Sequence, residues 1–153
     1  TLCLLDNIVL PGFLAGLRPR PEVTARGEEL MERMGIAELA TSGVTEVSGG
    51  QLQRAGICRA LINDPGIVFA DEPTGALNSA TALQILDLLG EIHASGTTLV
   101  MVTHDSQVAA RADRVLVLVD GQITEDLLLG RYEEADGPSR LTAVTEALQR
   151  HSV

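Results

Sequence analysis

Ser48-Gly49-Gly50-Gln51 lies where a polar loop gives way to a helix-forming run, within VSGGQLQR at residues 47–54. Glycines at a helix start let a ligand approach the backbone closely, and the unpaired N–H groups and helix dipole there favour an anion. The Ser48 hydroxyl and the Gln51 amide add donors, so these four residues are equipped to hold a phosphate. Alone, they also suit an ordinary flexible loop before a capped helix. Further on, IVFADE at residues 67–72 ends an apolar run in two carboxylates, Asp71 and Glu72. One acid at a strand tip can hold Mg2+ through water while its neighbour polarises an attacking water. Adjacent strand residues point to opposite sides, so two residues suit two roles; the plainer alternative is a pair of solvated acids. VTHD at residues 102–105 places His104 after another apolar run, where it could contact a terminal phosphate or be a simple loop histidine. His93 and His151 are read as structural.

The elements that must position these residues follow from local signals. Residues 1–17 suggest a short helix and a turn, interrupted by Asp6-Asn7, Pro11-Gly12 and Gly16. Pro21 suits a helix start with Glu22 in its first turn, and Val23, Leu30, Met31 and Met34 form its core stripe up to a stop at Gly35. Residues 37–40 allow one further turn. Ser48 and Gln51 stand in capping-box relation, opening a helix that runs through Leu61 and ends before Asp64-Pro65. Residues 67–70 and 98–103 read as strands buried on both faces of a parallel sheet. Between them a helix capped by Asn78 or Ser79 runs to about Ala94, with Leu83, Leu86, Leu89 and Ile92 facing inward and Gly96 closing it. Asp105 caps a short helix to about Ala112. Asp120-Gly121 is a hairpin signal between 115–119 and Ile123. The acidic tail from Asp126 contains one amphipathic pattern, Leu141, Val144 and Leu148. The alternation of strands and helices gives an α/β domain. Helix 49–63 spans on the order of 20 Å and the next strand returns, so the glycine motif, the carboxylates and His104 can reach one face.

Composition narrows the chemistry. The chain has 153 residues, enough for one domain with a real core. Net charge is −10, and all eleven basic residues are arginine, with no lysine. Such an acidic chain repels phosphate backbones, and aromatics of only 2% argue against base stacking. Nucleic acid is therefore not an expected partner. Apolar runs are too short for a membrane span. Cys3 and Cys58 have no metal-site spacing and are expected to be reduced thiols. The chain begins at Thr1 in an apolar run and is expected to continue a longer protein.

Taken in this order and spacing, the motifs resemble those of the nucleotide-binding subunits of ABC transporters. VSGGQLQR is similar to the signature motif, with Val47 for the usual leucine. IVFADE is similar to the Walker B strand, GALN at residues 75–78 to the D-loop with Asn78 for the usual aspartate, and VTHD to the switch-histidine motif. ADRVLVLVDGQI resembles the sheet-and-hairpin ending of such domains. EPTG at 72–75 and LLDNIVLP at 4–11 resemble the bacterial branch serving lipoprotein release, macrolide export and antimicrobial-peptide resistance.

The resemblance implies a P-loop NTPase fold of ABC type, C-terminal part, with a parallel-sheet core and a helical subdomain. It would divide into a helical subdomain with the signature helix at 1–62, the second half of the ATPase core at 63–125, and a tail at 126–153. Ser48, Gly49, Gly50 and Gln51 would bind the γ-phosphate of ATP held by a second nucleotide-binding subunit. Asp71 would hold Mg2+, Glu72 would be the catalytic base, His104 would contact the γ-phosphate, and residues 75–78, Asn78 included, would communicate across the dimer. Transmembrane permease subunits would be partners, and the place would be cytoplasmic, at the inner face of the cell membrane. The phosphate-binding loop GxxxxGK[ST] needs a lysine, which these residues do not contain. The alternatives are a non-catalytic domain that supplies only its signature face, or a soluble ABC-type ATPase.

Overall fold

The computed structural model describes residues 2–75 and 77–151. These form two compact units, divided after Met101.

In the first unit, helix α1 (Leu4–Ala15) opens on a capping box. Cys3 Sγ accepts from the Asp6 N–H, and the Asp6 carboxylate accepts from the Cys3 N–H. The helix continues through Pro11, against the break expected from sequence. The next residue explains the tolerance, because α1 is held there by α2 rather than by its own propensity. A Cβ on Gly12 would lie 2.5 Å from Val23 Cγ1, so the bare glycine lets the two helices close. Helix α2 (Arg20–Arg33) has Pro19 as its N-cap and Pro21 in its first turn, and Gly35 follows it at φ +65°. A 3-10 turn (Ala37–Leu39) leads to the loop before α3 (Gly49–Leu61).

Helices α1, α2 and α3 pack on one another around Leu4, Ile8, Leu30, Met31 and Cys58, all fully buried. Removing each such large aliphatic side chain from water stabilises the fold by about 1.5–3 kcal/mol. Asp64, at φ +49°, closes the end of α3 and accepts from Arg18 at 2.6 Å and Arg26 at 2.7 Å. The Arg18 hydrogen bond, followed by the charges of both arginines, holds its carboxyl below the usual carboxylate range.

Strand β1 (Ile67–Asp71), helix α4 (Ser79–Ala94) and strand β2 (Thr98–Val102) form a strand–helix–strand crossover. The strands are neighbours, and the Thr98 N–H donates to the Gly66 carbonyl at 2.9 Å, joining their starting ends. They therefore run parallel. The expectation of burial on both faces is corrected. Val68, Leu99 and Met101 pack against the helical core, whereas Ile67, Phe69 and Val100 are exposed, Phe69 by 77%. The reason is layering: among the described residues helices cover one face of this two-stranded sheet only. In α4 the inward set is Ile85, Leu86, Leu89 and Ile92, and Leu83 is exposed. Ile85 takes the place that the leucine spacing assigned to Leu83.

In the second unit, α5 (Ser106–Ala109) is capped by Asp105, whose Oδ1 accepts from the Gln107 N–H at 2.8 Å. It ends earlier than Ala112. Strands β3 (Arg114–Val119) and β4 (Gln122–Leu128) pair antiparallel, with Val119 opposite Gln122. Asp120 and Gly121 both have positive φ, +51° and +77°, as a two-residue hairpin turn of the right twist requires.

The tail forms α6 (Gly137–His151), whose buried residues are Arg140, Val144 and Ala147. The expected face of Leu141, Val144 and Leu148 is thus corrected: Leu148 is exposed, Leu141 is half-buried, and Arg140 and Ala147 are buried beside Val144. All five N–H donors of the Arg140 guanidinium are used. Nε donates to the Ala110 carbonyl at 2.8 Å, Nη1 to those of Leu129 and Arg131, and Nη2 to those of Ala112 and Gly130. The Tyr132 ring lies against this guanidinium and that of Arg111, at 5.4 and 5.3 Å. So α5 ends where the carbonyls just beyond it, those of Ala110 and Ala112, turn toward Arg140.

At the other end of α6, Arg150 and His151 both bond the Glu125 carboxylate of β4, His151 at 3.1 Å. Arg150 above all holds that carboxyl below the usual range. A depressed carboxyl pKa contributes stability that is present above the unfolded value and lost as pH falls through the folded one. Hydrogen exchange at the last turn of α6 is therefore expected to speed up as pH drops below about 4, after correction for intrinsic exchange. Glu125→Gln should remove that pH dependence. An unchanged profile in the variant would show that the clamp does not secure the helix.

Candidate functional site

The start of α3 has the geometry that its sequence implied. Ser48 is the N-cap, with extended backbone at φ −70°, ψ 162°. Its Oγ accepts from the Gln51 N–H at 3.3 Å, and Gln51 Oε1 accepts from the Ser48 N–H at 2.8 Å. A helix start leaves four N–H groups without intrahelical partners, here those of residues 48–51. The box uses the first and the last. The N–H groups of Gly49 and Gly50 remain between them, with the Ser48 hydroxyl proton and Gln51 Nε2 as side-chain donors. Gln51 thus serves first as an acceptor within the box, which fixes how its amide points.

Asp71 is the last residue of β1 and is exposed. Glu72 is not in the strand. It stands at φ +44°, in the left-handed region, which costs a residue with a Cβ about 1–2 kcal/mol. This corrects the expectation that strand alternation separates the two carboxylates. A reversal of the backbone separates them. The turn that holds Glu72 is built by buried Pro73 and Thr74 and closed by the Gly75 N–H on the Glu72 carbonyl at 3.1 Å. Backbone strain of this kind persists where the surroundings over-determine it and is common at functional positions.

Of the segment 75–78, Ala76 lies outside the described residues. Asn78 is exposed and is the N-cap of α4; its Oδ1 accepts from the Thr81 N–H at 3.0 Å. Leu77 reaches the glycine loop, since a Cβ built on Gly49 or Gly50 would lie 3.9 Å from Leu77 Cδ2. Within the first unit, then, the loop of residues 48–51 and the loop leading into α4 are in contact. His104 belongs to the second unit, two residues past β2 and directly before the capping Asp105. His93 Nδ1 lies 3.2 Å from the Thr97 carbonyl at the end of α4, as a structural histidine does.

Mg2+ takes one or two carboxylates and completes its shell with water and substrate phosphate oxygens. An exposed carboxylate at a strand tip, such as Asp71, fits that mode. Among the described residues no group of three His, Cys, Asp or Glu could hold a metal by itself. Both cysteines are unpaired, and burial pushes the Cys58 thiol up to about 12, so it stays protonated and unreactive.

Sequence spacing did not identify Thr81, Arg54 or Gln84. Arg54 Nη1 donates to the Met34 carbonyl at 2.7 Å and Nη2 to Gln84 Oε1 at 2.8 Å, tying α3 to the end of α2 and to α4.

The family model described as ABC transporter matches residues 4–75. Similar relatives include the macrolide export ATP-binding/permease protein MacB of Rhodospirillum rubrum, 45% identical over 79% of this chain and 18% of the relative. The probable export ATP-binding/permease protein MacB of Pseudomonas entomophila is 43% identical over 80% of this chain and 18% of its own length. The chain therefore spans about a fifth of the curated relatives it matches. Among solved structures, the dimeric structure of MJ0796, a bacterial ABC transporter cassette, covers 86% of this chain at 36% identity and TM-score 0.74. A post-hydrolysis dimer of the same cassette bound to ADP and Pi gives 34% and 0.69. The chain covers 58% of each of those structures. No helix of the described residues is long and apolar enough to cross a membrane. Its fold, its capped glycine motif and these relatives together support an ATP-binding cassette of ABC-transporter type, similar to the macrolide-export branch.

Proposed function

We propose that this chain supplies one half of an ATP-hydrolysing site that a second nucleotide-binding subunit completes, and that the hydrolysis drives export through permease partners at the inner face of the cell membrane. The observation that carries this reading is the start of α3. Its capping box leaves the Gly49 and Gly50 N–H groups and the Ser48 hydroxyl proton as donors for an anion. The chain has no lysine, so the lysine of a phosphate-binding loop is not among its residues. In this reading the ATP that residues 48–51 meet is the one held by the second subunit.

In that assembly Ser48, Gly49, Gly50 and Gln51 orient the γ-phosphate of the partner's ATP. Asp71 would be the residue that holds Mg2+ through water, and a bound ion would supply neutralisation of charge on the phosphoryl oxygens. Glu72 takes the proton of the water whose oxygen bonds to the γ-phosphorus as the β–γ bridging bond breaks and ADP leaves. His104 donates to the γ-phosphate. Asn78 caps α4 without adding a negative charge beside this anion. The similar relatives are named for macrolide export, which makes a macrolide the cargo to test first.

The purified 153-residue chain is expected to show no Mg-dependent ATP turnover above background. A colourimetric phosphate assay decides it. Robust turnover that disappears in Glu72→Gln would overturn the half-site reading.

A further inference from the structure

Two helix starts meet in the first unit, and they meet at one atom. A Cβ on Gly50 would stand 2.6 Å from Thr81 Cγ2, closer than real side chains approach, with Thr81 Cβ at 3.8 Å and Leu77 Cδ2 at 3.9 Å. The same construction on Gly49 meets Leu77 Cδ2 alone, at 3.9 Å. The two glycines of the motif therefore differ. At Gly50 a side chain would have to displace the Thr81 methyl; at Gly49 it would displace nothing. Further along each helix, the Arg54–Gln84 hydrogen bond at 2.8 Å continues the seam, so α3 and α4 leave this contact side by side in the same direction. The backbone that carries the Thr81 methyl is fixed, because its N–H is capped by Asn78.

We infer that Thr81 is a positioning residue that acts through Gly50. Its methyl is the seat on which the glycine loop rests, and it sets the separation between the start of α3 and the start of α4. The loop at 48–51 and the loop leading to Asn78 consequently move as one body. This rests on the reading that residues 48–51 orient a γ-phosphate. It adds that Gly50 is a glycine on account of α4, independently of how closely a ligand must approach.

The test uses the full ATPase that contains this chain, and the chain itself. Gly50→Ala drives its methyl into that of Thr81; Thr81→Ser removes the opposing methyl while keeping the hydroxyl and the backbone cap. Gly50→Ala is expected to lower kcat about 30-fold with KM for ATP within about twofold, and Thr81→Ser to lower kcat about threefold. The double variant should recover about tenfold over Gly50→Ala, a coupling of the size that touching residues show. Thr81→Ser should give no such recovery to Gly49→Ala. In the chain alone, the urea midpoint should fall in Gly50→Ala and return in the double variant, with no nucleotide present.

A double variant no better than Gly50→Ala in either readout overturns the seat. Recovery of the midpoint without recovery of kcat overturns the positioning role. Turnover unaffected by Ser48→Ala would instead count against the phosphate reading of residues 48–51, and the midpoint rescue would still stand or fall on its own.

Discussion

Glu72→Gln in the full ATPase is expected to lower the rate of ATP hydrolysis by about 10²–10⁴-fold, the usual worth of a positioned general base. The substitution keeps the shape and removes the proton acceptor. ATP binding should persist, since Glu72 lies in a turn after the strand and not in the loop that cradles phosphates. Single-turnover measurement separates the two effects. Burst and steady state should slow together while a fluorescent nucleotide still binds. Retention of more than about a tenth of the rate would remove Glu72 from the base role. The conformation matters as much as the carboxylate. At φ +44° Glu72 is held by buried Pro73 and Thr74 and by the Gly75 bond to its carbonyl. Changing the turn without touching Glu72 should therefore also cost turnover.

Arg140→Met should destabilise the second unit by about 3 kcal/mol, within the range for removing one partner of a buried charged network. Arg140 is only 5% exposed and donates to five main-chain carbonyls from two segments, residues 110–112 and 129–131. Methionine fills much of the volume and supplies no donor, so those carbonyls lose their partners together. Arg140→Lys cannot repair this, because an ammonium has three donors and no planar fork. Urea unfolding of the chain measures the loss. Hydrogen exchange localises it: protection should fall in α6 and around residues 110–113 more than in the middle of β3. A loss below about 1 kcal/mol would mean that the carbonyls find water instead.

Local features of this chain are legible in the order of its residues. The caps at Ser48, Asn78 and Asp105 depend on side chains that reach only two or three residues along the backbone. The stop at Gly35 and the Asp120-Gly121 hairpin depend on φ values that few residues adopt. The stripe of Val23, Leu30, Met31 and Met34 follows helical period. The motifs at residues 48–51, 67–72 and 102–105, taken together, also point to the family, because their chemistry is written in contiguous residues. Where pattern reading fails, a second element decides. Pro11 stays helical because α2 closes on Gly12. Leu83 yields its inward place to Ile85, and the apolar run of β1 is buried on one face only, because coverage depends on how many layers lie against a sheet.

The sequence by itself determined where most helices and strands begin and end, and that a capped, glycine-rich helix start precedes a pair of carboxylates. Those are consequences of short-range hydrogen bonding and steric limits. Only the tertiary structure decided that Glu72 leaves its strand in a left-handed turn, that Arg140 is the buried residue of the tail helix, and that Gly50 rather than Gly49 is pressed against α4. Each depends on atoms brought together from distant parts of the chain or on a turn held by its surroundings. Residue type and spacing do not encode such contacts until the chain has packed. The glycine motif therefore carries two requirements at once: a ligand side readable from its neighbours, and a packing side visible only where Thr81 meets it.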